Sequence, residues 1–214
     1  MADNATLPAT GSVIATDDIA GVHYQIVKLC LGAMDANNGT VSSVNPLPVS
    51  LGLQAISTTV ALTRPNDTAA YGANNAIGAT STTSQLTFSN VGTAGKCIQI
   101  LDGYIHIYLA ALPSGMTRLR LHLYNALPSN IGDHSGWDIS TADRSKYLGF
   151  IEFPTPEDMG SSLFCQLSGI NKIVQLVDGN LYGILVTVGA FTGAAQTVHN
   201  ITLSTVRRQC PKVS

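Results

Sequence analysis

The string Gly132-Asp133-His134-Ser135-Gly136 sets an acid, an imidazole and a hydroxyl side by side, the three groups from which nucleophilic catalysis is built. A working triad draws its members from separate elements, each within hydrogen-bond reach of the next. Consecutive residues of one loop do not meet that requirement, and the string is not the Gly-x-Ser-x-Gly elbow of hydrolases. The sequence therefore predicts a solvated turn there. Carboxylate pairs offer little more. Asp17-Asp18 lies near the amino end, and Glu152, Glu157 and Asp158 flank Pro154 and Pro156, where acidic residues are ordinary loop formers. No Asp-x-Asp-x-Asp spacing suggests calcium.

The other histidines, His23, His106, His122 and His199, stand singly on predicted strands and read as hydrogen-bonded or surface groups rather than ligands. Cys30, Cys97, Cys165 and Cys210 are far apart, with no Cys-x-x-Cys. Each is expected to be a small buried hydrophobe rather than a zinc ligand or half of a disulfide. Trp137, the one tryptophan, sits in the polar string HSGWDIS. It is expected to be a core anchor, although a loop tryptophan is also how a sugar-stacking surface would begin. No catalytic residue, metal or cofactor is expected.

Whatever positions these residues is poor in charge. Only 11% of the 214 residues are charged and 45% are hydrophobic, against roughly 25% charged in an average soluble domain. With a mean hydropathy of +0.22 and no apolar run of spanning length, the chain predicts no membrane span and a surface covered by neighbouring subunits. A net charge of −2 and a pI near 6.2, without a Lys/Arg block, argue against nucleic-acid binding. Residues 1–12, MADNATLPATGS, lack the basic and apolar regions of a secretory signal, so synthesis in a cytoplasm is expected. The sequons at Asn4, Asn38, Asn66 and Asn200 are accordingly expected to be unmodified.

Up to residue 20 neither helical nor strand periodicity is sustained, so the segment reads as an extended arm. VHYQIVKLCL, from Val22 to Leu31, is β-rich and ends near an Asn38-Gly39 turn. Asn45-Pro46-Leu47-Pro48 then forces extended backbone. From residue 53 strand candidates alternate with turn signals, at 53–62, 85–88, 97–109, 117–125, 147–153, 172–176, 180–188 and 198–206. In TRLRLHLYN, Leu119, Leu121 and Leu123 form one buried face, while Arg118, Arg120, His122 and Tyr124 form a polar one. In 97–109 both parities are apolar, which predicts a central strand covered on both faces. No window has an apolar helical stripe. The class is all-β with two packed sheets, organised as an arm and short β region over 1–52, a sandwich over 53–206 and a tail over 207–214.

Arg64 to Gly78, RPNDTAAYGANNAIG, is too broken for a helix and too polar for a core strand. Together with LTFSNVG, TRLRLHLYNALPS, YLGFIEFP and LYGILVTVGAFTGAA, it resembles a group of tailed-bacteriophage virion structural proteins with a jelly-roll-like domain, over residues 56–206. VIATDDIAGVHYQIVKLCLGAMDANNGTVSSVNPLPV resembles an amino-terminal stretch that recurs in phage structural proteins. The family segment often has Asp where this chain has Asn75, and a YIDFP-like string where it has Phe150 to Pro154.

The resemblance implies a jelly-roll-like β-sandwich behind an extended arm, no enzymatic activity, and a place in the virion after synthesis in the host bacterial cytoplasm. The implied role is capsid decoration, cement or head-fibre base. The expected partners are the major capsid protein or other virion proteins and copies of the chain itself, as a homotrimer. A tail or fibre module binding host glycan is the alternative, and a glycan depolymerase is disfavoured for want of converging carboxylates. Within the arm, Leu7, Val13, Ile14, Asp17, Asp18 and Ile19 are the expected partner-binding residues. The apolar ones would fill pockets on a partner's sheet edge, and the aspartates would cap or pair where the arm meets the first strand. On this reading Pro65 and Asn66-Asp67 set the corner of an ordered connection into the sandwich.

Overall fold

The structure, a computed structural model, describes residues 4–6, 13–19, 22–25, 55–79 and 83–210. It divides into two units, Met1–Leu51 and Gly52–Ser214. In the first, β1 (Asn4–Thr6), β2 (Val13–Ile19) and β3 (Val22–Gln25) form a three-stranded antiparallel sheet. Two of these strands, β1 and β2, lie within the stretch up to residue 20 that reads as an extended arm. Backbone pairing, from Asn4–Ala15 to Ile19–Val22, supplies hydrogen bonds that side-chain periodicity did not announce.

The second unit carries β4 (Ala55–Thr63), β5 (Ala70–Tyr71), β6 (Ala76–Ile77), β7 (Gln85–Phe88), β8 (Cys97–Ile107), β9 (Leu119–Tyr124) and β10 (Tyr147–Phe153). It continues with β11 (Glu157–Asp158), β12 (Leu163–Leu167), β13 (Lys172–Gln175), β14 (Leu181–Thr187), β15 (Phe191–Thr192) and β16 (Val198–Arg208). One sheet runs β10-β9-β14, with β7 and then β6 along the far side of β14. The other runs β11-β12-β8-β16-β4, with β13 beside β12 on β8. Leu119, Leu121, Leu123, Phe153 and Leu185 of the first sheet share one core with Ile98, Ile100, Ile105, Ile107, Ile201 and Leu203 of the second. The fold is all-β, and no described residue is helical, so no helix is long and apolar enough to cross a membrane.

Strand β8 is central, but its two apolar parities serve one face. Its pairing with β16 passes from Ser204–Asp102 to Thr205–Ile100, so β8 carries an extra residue at Leu101. This bulge flips the alternation. Ile98 and Ile100 before it, and Ile105 and Ile107 after it, all reach the core. The expectation that both faces are covered is thus corrected.

The opposite correction applies to β9. Its leucines are in the core as expected, yet His122 and Tyr124 on the other face are also buried, at 3% and 1% exposure. Chain between β9 and β10 folds over that face, and Trp137 stacks on His122 with ring centroids 3.6 Å apart. Tyr124, Tyr182, Ile184 and Val186, with Trp137 and Tyr147 against them, make a second small core. Trp137 is therefore an anchor, and β14, buried at every position, is covered on both sides as continuous apolar strands are.

Cys97 and Cys210 form a disulfide, with Cα atoms 5.0 Å apart, whereas Cys165 is free and buried. Cys97 and Cys210 had been expected as unpaired thiols. Their pairing depends on β8 lying beside β16, where Cys97 faces Arg208, and linear spacing carries no sign of that.

Candidate functional site

The segment that follows β4 does not merely turn a corner. Arg64, whose side chain is 1% exposed, runs its guanidinium into a junction of three chain segments. Its Nε donates to the Tyr71 hydroxyl and its Nη1 to Ala194 O at 2.7 Å. Its Nη2 lies 3.3 Å from Asp67 Oδ1, 2.9 Å from His134 Nε2 and 3.7 Å from Asp133 Oδ2. The Tyr71 hydroxyl in turn donates to Asp133 Oδ1 at 2.7 Å, which also accepts from Gly78 N at 2.7 Å. Backbone bonds complete the seam: Ala76 N to Ser135 O, His134 N to Ala76 O, and Trp137 N to Asn74 O. A Cβ at Gly193 would collide with the guanidinium, so glycine there lets the chain pass close over it.

Asp133-His134-Ser135 is a turn, as expected, closed by Ser135 N donating to Gly132 O, with Ser135 and Gly136 exposed; the departure is Asp133, which is buried. Asp133 is buried because it compensates Arg64 and Tyr71, and burial with that carboxylate raises the Tyr71 hydroxyl well above its usual range. The His134 ring stacks on Tyr71, with centroids 4.3 Å apart, and its Nδ1 lies 3.0 Å from Asp133 Oδ2 at an angle that makes no hydrogen bond. Ser135 is exposed and engages Ala76 through its carbonyl. Ligand atoms of Asp67, Asp133 and His134 lie within 4.8 Å of one another, as metal ligands would. Arg64 Nη2 stands within 3.7 Å of all three residues, so the guanidinium takes the place a cation would fill. The chemistry available here is holding chain together.

The remaining candidates are dispersed. Glu152 binds Arg118 and Arg120, at 2.5 and 2.6 Å, and the Arg120 hydrogen bond lowers its pKa. Glu157 and Asp158 are exposed on β11. Of the expected partner-binding residues, Val13, Ile14, Asp17, Asp18 and Ile19 lie on β2, with Asp17 opposite Tyr24 and Asp18 opposite His23. The aspartates are therefore inside a strand pair and not at a cap. Leu7, like the turns expected around residues 38–48, lies outside the described residues.

A surface feature that composition alone did not reveal is β4. Nine residues long and uncharged, AISTTVALT, it pairs along its whole length with β16 and, among the described residues, with nothing on its other side. Ala55, Ser57, Thr59, Ala61 and Thr63 are exposed. Folded monomers usually protect such an edge with charge, proline, a bulge or brevity. No known protein family and no curated protein matches the chain.

Acid should weaken this domain. Burial, and then the Arg120 charge, push His122 down to about 4; burial and the Arg64 charge do the same to His199. The folded state therefore binds these protons less readily than the unfolded chain, whose histidines titrate near 6.5. Stability should fall as pH drops from about 6.5 towards 4 and level off below that. Burial raises the pKa of Asp143, but hydrogen bonds from Lys146, Ser129 and Ser140 outweigh it and leave a net lowering, so its contribution is lost in more acid solution still. Melting temperature measured from pH 7 to 4 should decline, and His199→Gln should flatten the decline. A flat wild-type profile would contradict the burial of these imidazoles.

Proposed function

We propose that the protein is a structural component of a bacteriophage virion, a capsid decoration, cement or head-fibre base protein, acting through protein–protein contacts and not through catalysis. The observation that carries this reading is β4, a long, neutral strand whose outer edge pairs with no other strand among the described residues. Such an edge is a liability in a free monomer and an asset in an assembly, where a neighbouring strand satisfies its outward backbone groups. The low charge of the chain and the exposed Leu112, Leu127, Met159, Ile173 and Val177 add apolar area that subunit contacts would cover. The likeness of RPNDTAAYGANNAIG and its companion strings to phage structural proteins supplies the particle. Host-cytoplasmic synthesis followed by residence in the virion goes with it. The major capsid protein is the partner proposed for residues 1–20, through Leu7, Val13, Ile14, Asp17, Asp18 and Ile19.

Copies of the chain are proposed to close as a homotrimer: the low charge leaves apolar area for subunit contacts to cover, closed symmetry is the rule for such assemblies, and the threefold follows from the resemblance to jelly-roll virion proteins. Native mass spectrometry at micromolar concentration should show the trimer. Ser57→Lys, which places a charge on the open edge, should shift it towards monomer while leaving the circular-dichroism spectrum intact. A wild-type chain that stays monomeric would overturn the oligomer.

A further inference from the structure

The two sheets treat their outer faces differently. The outer face of β9 and β14 is roofed by the chain between β9 and β10. Within the second unit no described segment roofs the outer face of the β12-β8-β16-β4 sheet in this way, and the strand register sets aromatic and amide side chains on it in two rungs. Phe164 stands opposite His106, which stands opposite Asn200. Gln166 stands opposite Tyr104, then come Thr202 and Thr59. The rings form a contiguous strip, with centroids 5.6 Å apart for Tyr104 and Phe164, 6.2 Å for His106 and Phe164, and 5.2 Å for His106 and Tyr108. Tyr108, at the end of the strip, is 53% exposed.

Neutral hydrogen-bonding groups are interleaved with the rings. Asn200 donates to the Tyr108 hydroxyl at 2.9 Å, and the hydroxyl of exposed Thr59 meets at 2.7 Å that of Thr202, which is itself buried and serves only to fix Thr59. Neither rung holds Lys or Arg; the charged groups in register are Glu157, opposite Phe164 on β11, and Asp102, opposite Ser204 on the next rung. Beside Phe164 and Gln166 the strip continues into a cleft whose other wall is Pro154, Thr155 and Glu157.

We infer that this face binds a neutral polysaccharide chain. Aromatic faces stack on the C–H faces of pyranose rings, while amides and hydroxyls match sugar hydroxyls without the desolvation cost of a charge. A single-stranded nucleic acid would also stack, but it needs a basic groove to track its phosphates, and the rungs hold no cation. An open strip suits an extended polymer rather than a small molecule, which would want a deep apolar pocket. The inference stands apart from the virion reading and does not need β4.

Electrophoresis of the full chain in native gels cast with xyloglucan, galactomannan or dextran, and with alginate as an anionic control, tests it. At least one neutral polymer should slow the protein, alginate should not, and Tyr104→Ala and Phe164→Ala should each abolish the effect. Tyr108→Ala, at an exposed position where folding is not at issue, should reduce it by half or more. Phe150→Ala, an exposed ring on the other sheet, should leave it unchanged. Unaltered mobility in all three neutral gels, or retardation that survives the Tyr104, Phe164 and Tyr108 changes, would overturn the inference. So would loss of oligomers on Tyr104→Ala without any polymer binding, which would make the face a subunit interface. Particle binding is read separately, so a chain that binds polymer but joins no particle would count against the virion reading alone.

Discussion

Arg64→Ala is expected to lower the unfolding free energy by about 3–5 kcal/mol, the usual cost of breaking a buried ion pair from one side. The substitution removes donors to Tyr71, Ala194 and His134 at once. It also strands the Asp133 carboxylate, whose side chain is 2% exposed, with no cation nearby. Lysine should not rescue it, because a single ammonium cannot direct separate N–H groups to the tyrosine, the carbonyl and the imidazole as the guanidinium fork does. Adding Asp133→Asn to Arg64→Ala should restore part of the loss, since the stranded charge is then gone while an acceptor for Tyr71 and Gly78 remains. Urea unfolding of the three variants makes the comparison. A loss below about 1 kcal/mol for Arg64→Ala would mean that the junction is solvated and carries little of the fold.

Cys210→Ser is expected to be the next most damaging change, at about 2–5 kcal/mol, because a cross-link spanning a long loop mainly limits the unfolded chain. The bond joins residues 113 apart in sequence. It staples the end of β16 to the start of β8, where the last ladder partner of Cys97 is Arg208. The folded sandwich should keep its β spectrum without it. Burial pushes the Cys165 thiol up to about 12, so Cys165 should remain a thiol in the native protein and not exchange into the bond. Such a bond closes in oxidising surroundings, so chain taken from a reducing cytoplasm should show the Cys210→Ser stability and gain the difference on oxidation. Equal melting temperatures with and without reductant would show that the cross-link does not form in solution.

Much of the fold was readable in the residues because β7 and β10 are bounded by clear turn signals, and both occupy the expected spans, 85–88 and 147–153. Strand β12, LFCQL, was missed: Leu163, Cys165 and Leu167 alternate properly, but Phe164 between them blurs the period. The bulge at Leu101 was invisible because an extra residue leaves composition unchanged while reversing every later side chain. The Arg64 junction was missed for a topological reason. Its partners come from positions 67, 71, 133, 134 and 194, and only the fold brings them together. A local hint did exist: in a chain with 11% charge, an arginine followed by Asp at the third position and Tyr at the seventh is conspicuous. The aromatic strip was undervalued for a similar cause. A total of 6% aromatic residues says nothing about register, which gathers Tyr104, His106, Tyr108 and Phe164 on one face.

The most direct measurement of the proposed role is density or antibody labelling on intact particles, using phage lacking this protein and the purified full chain added back. The chain is expected to occupy regularly repeated positions on the particle and to return to them on addition. A protein that remains in the soluble lysate, and never appears on particles made in its presence, would contradict a structural place in the virion.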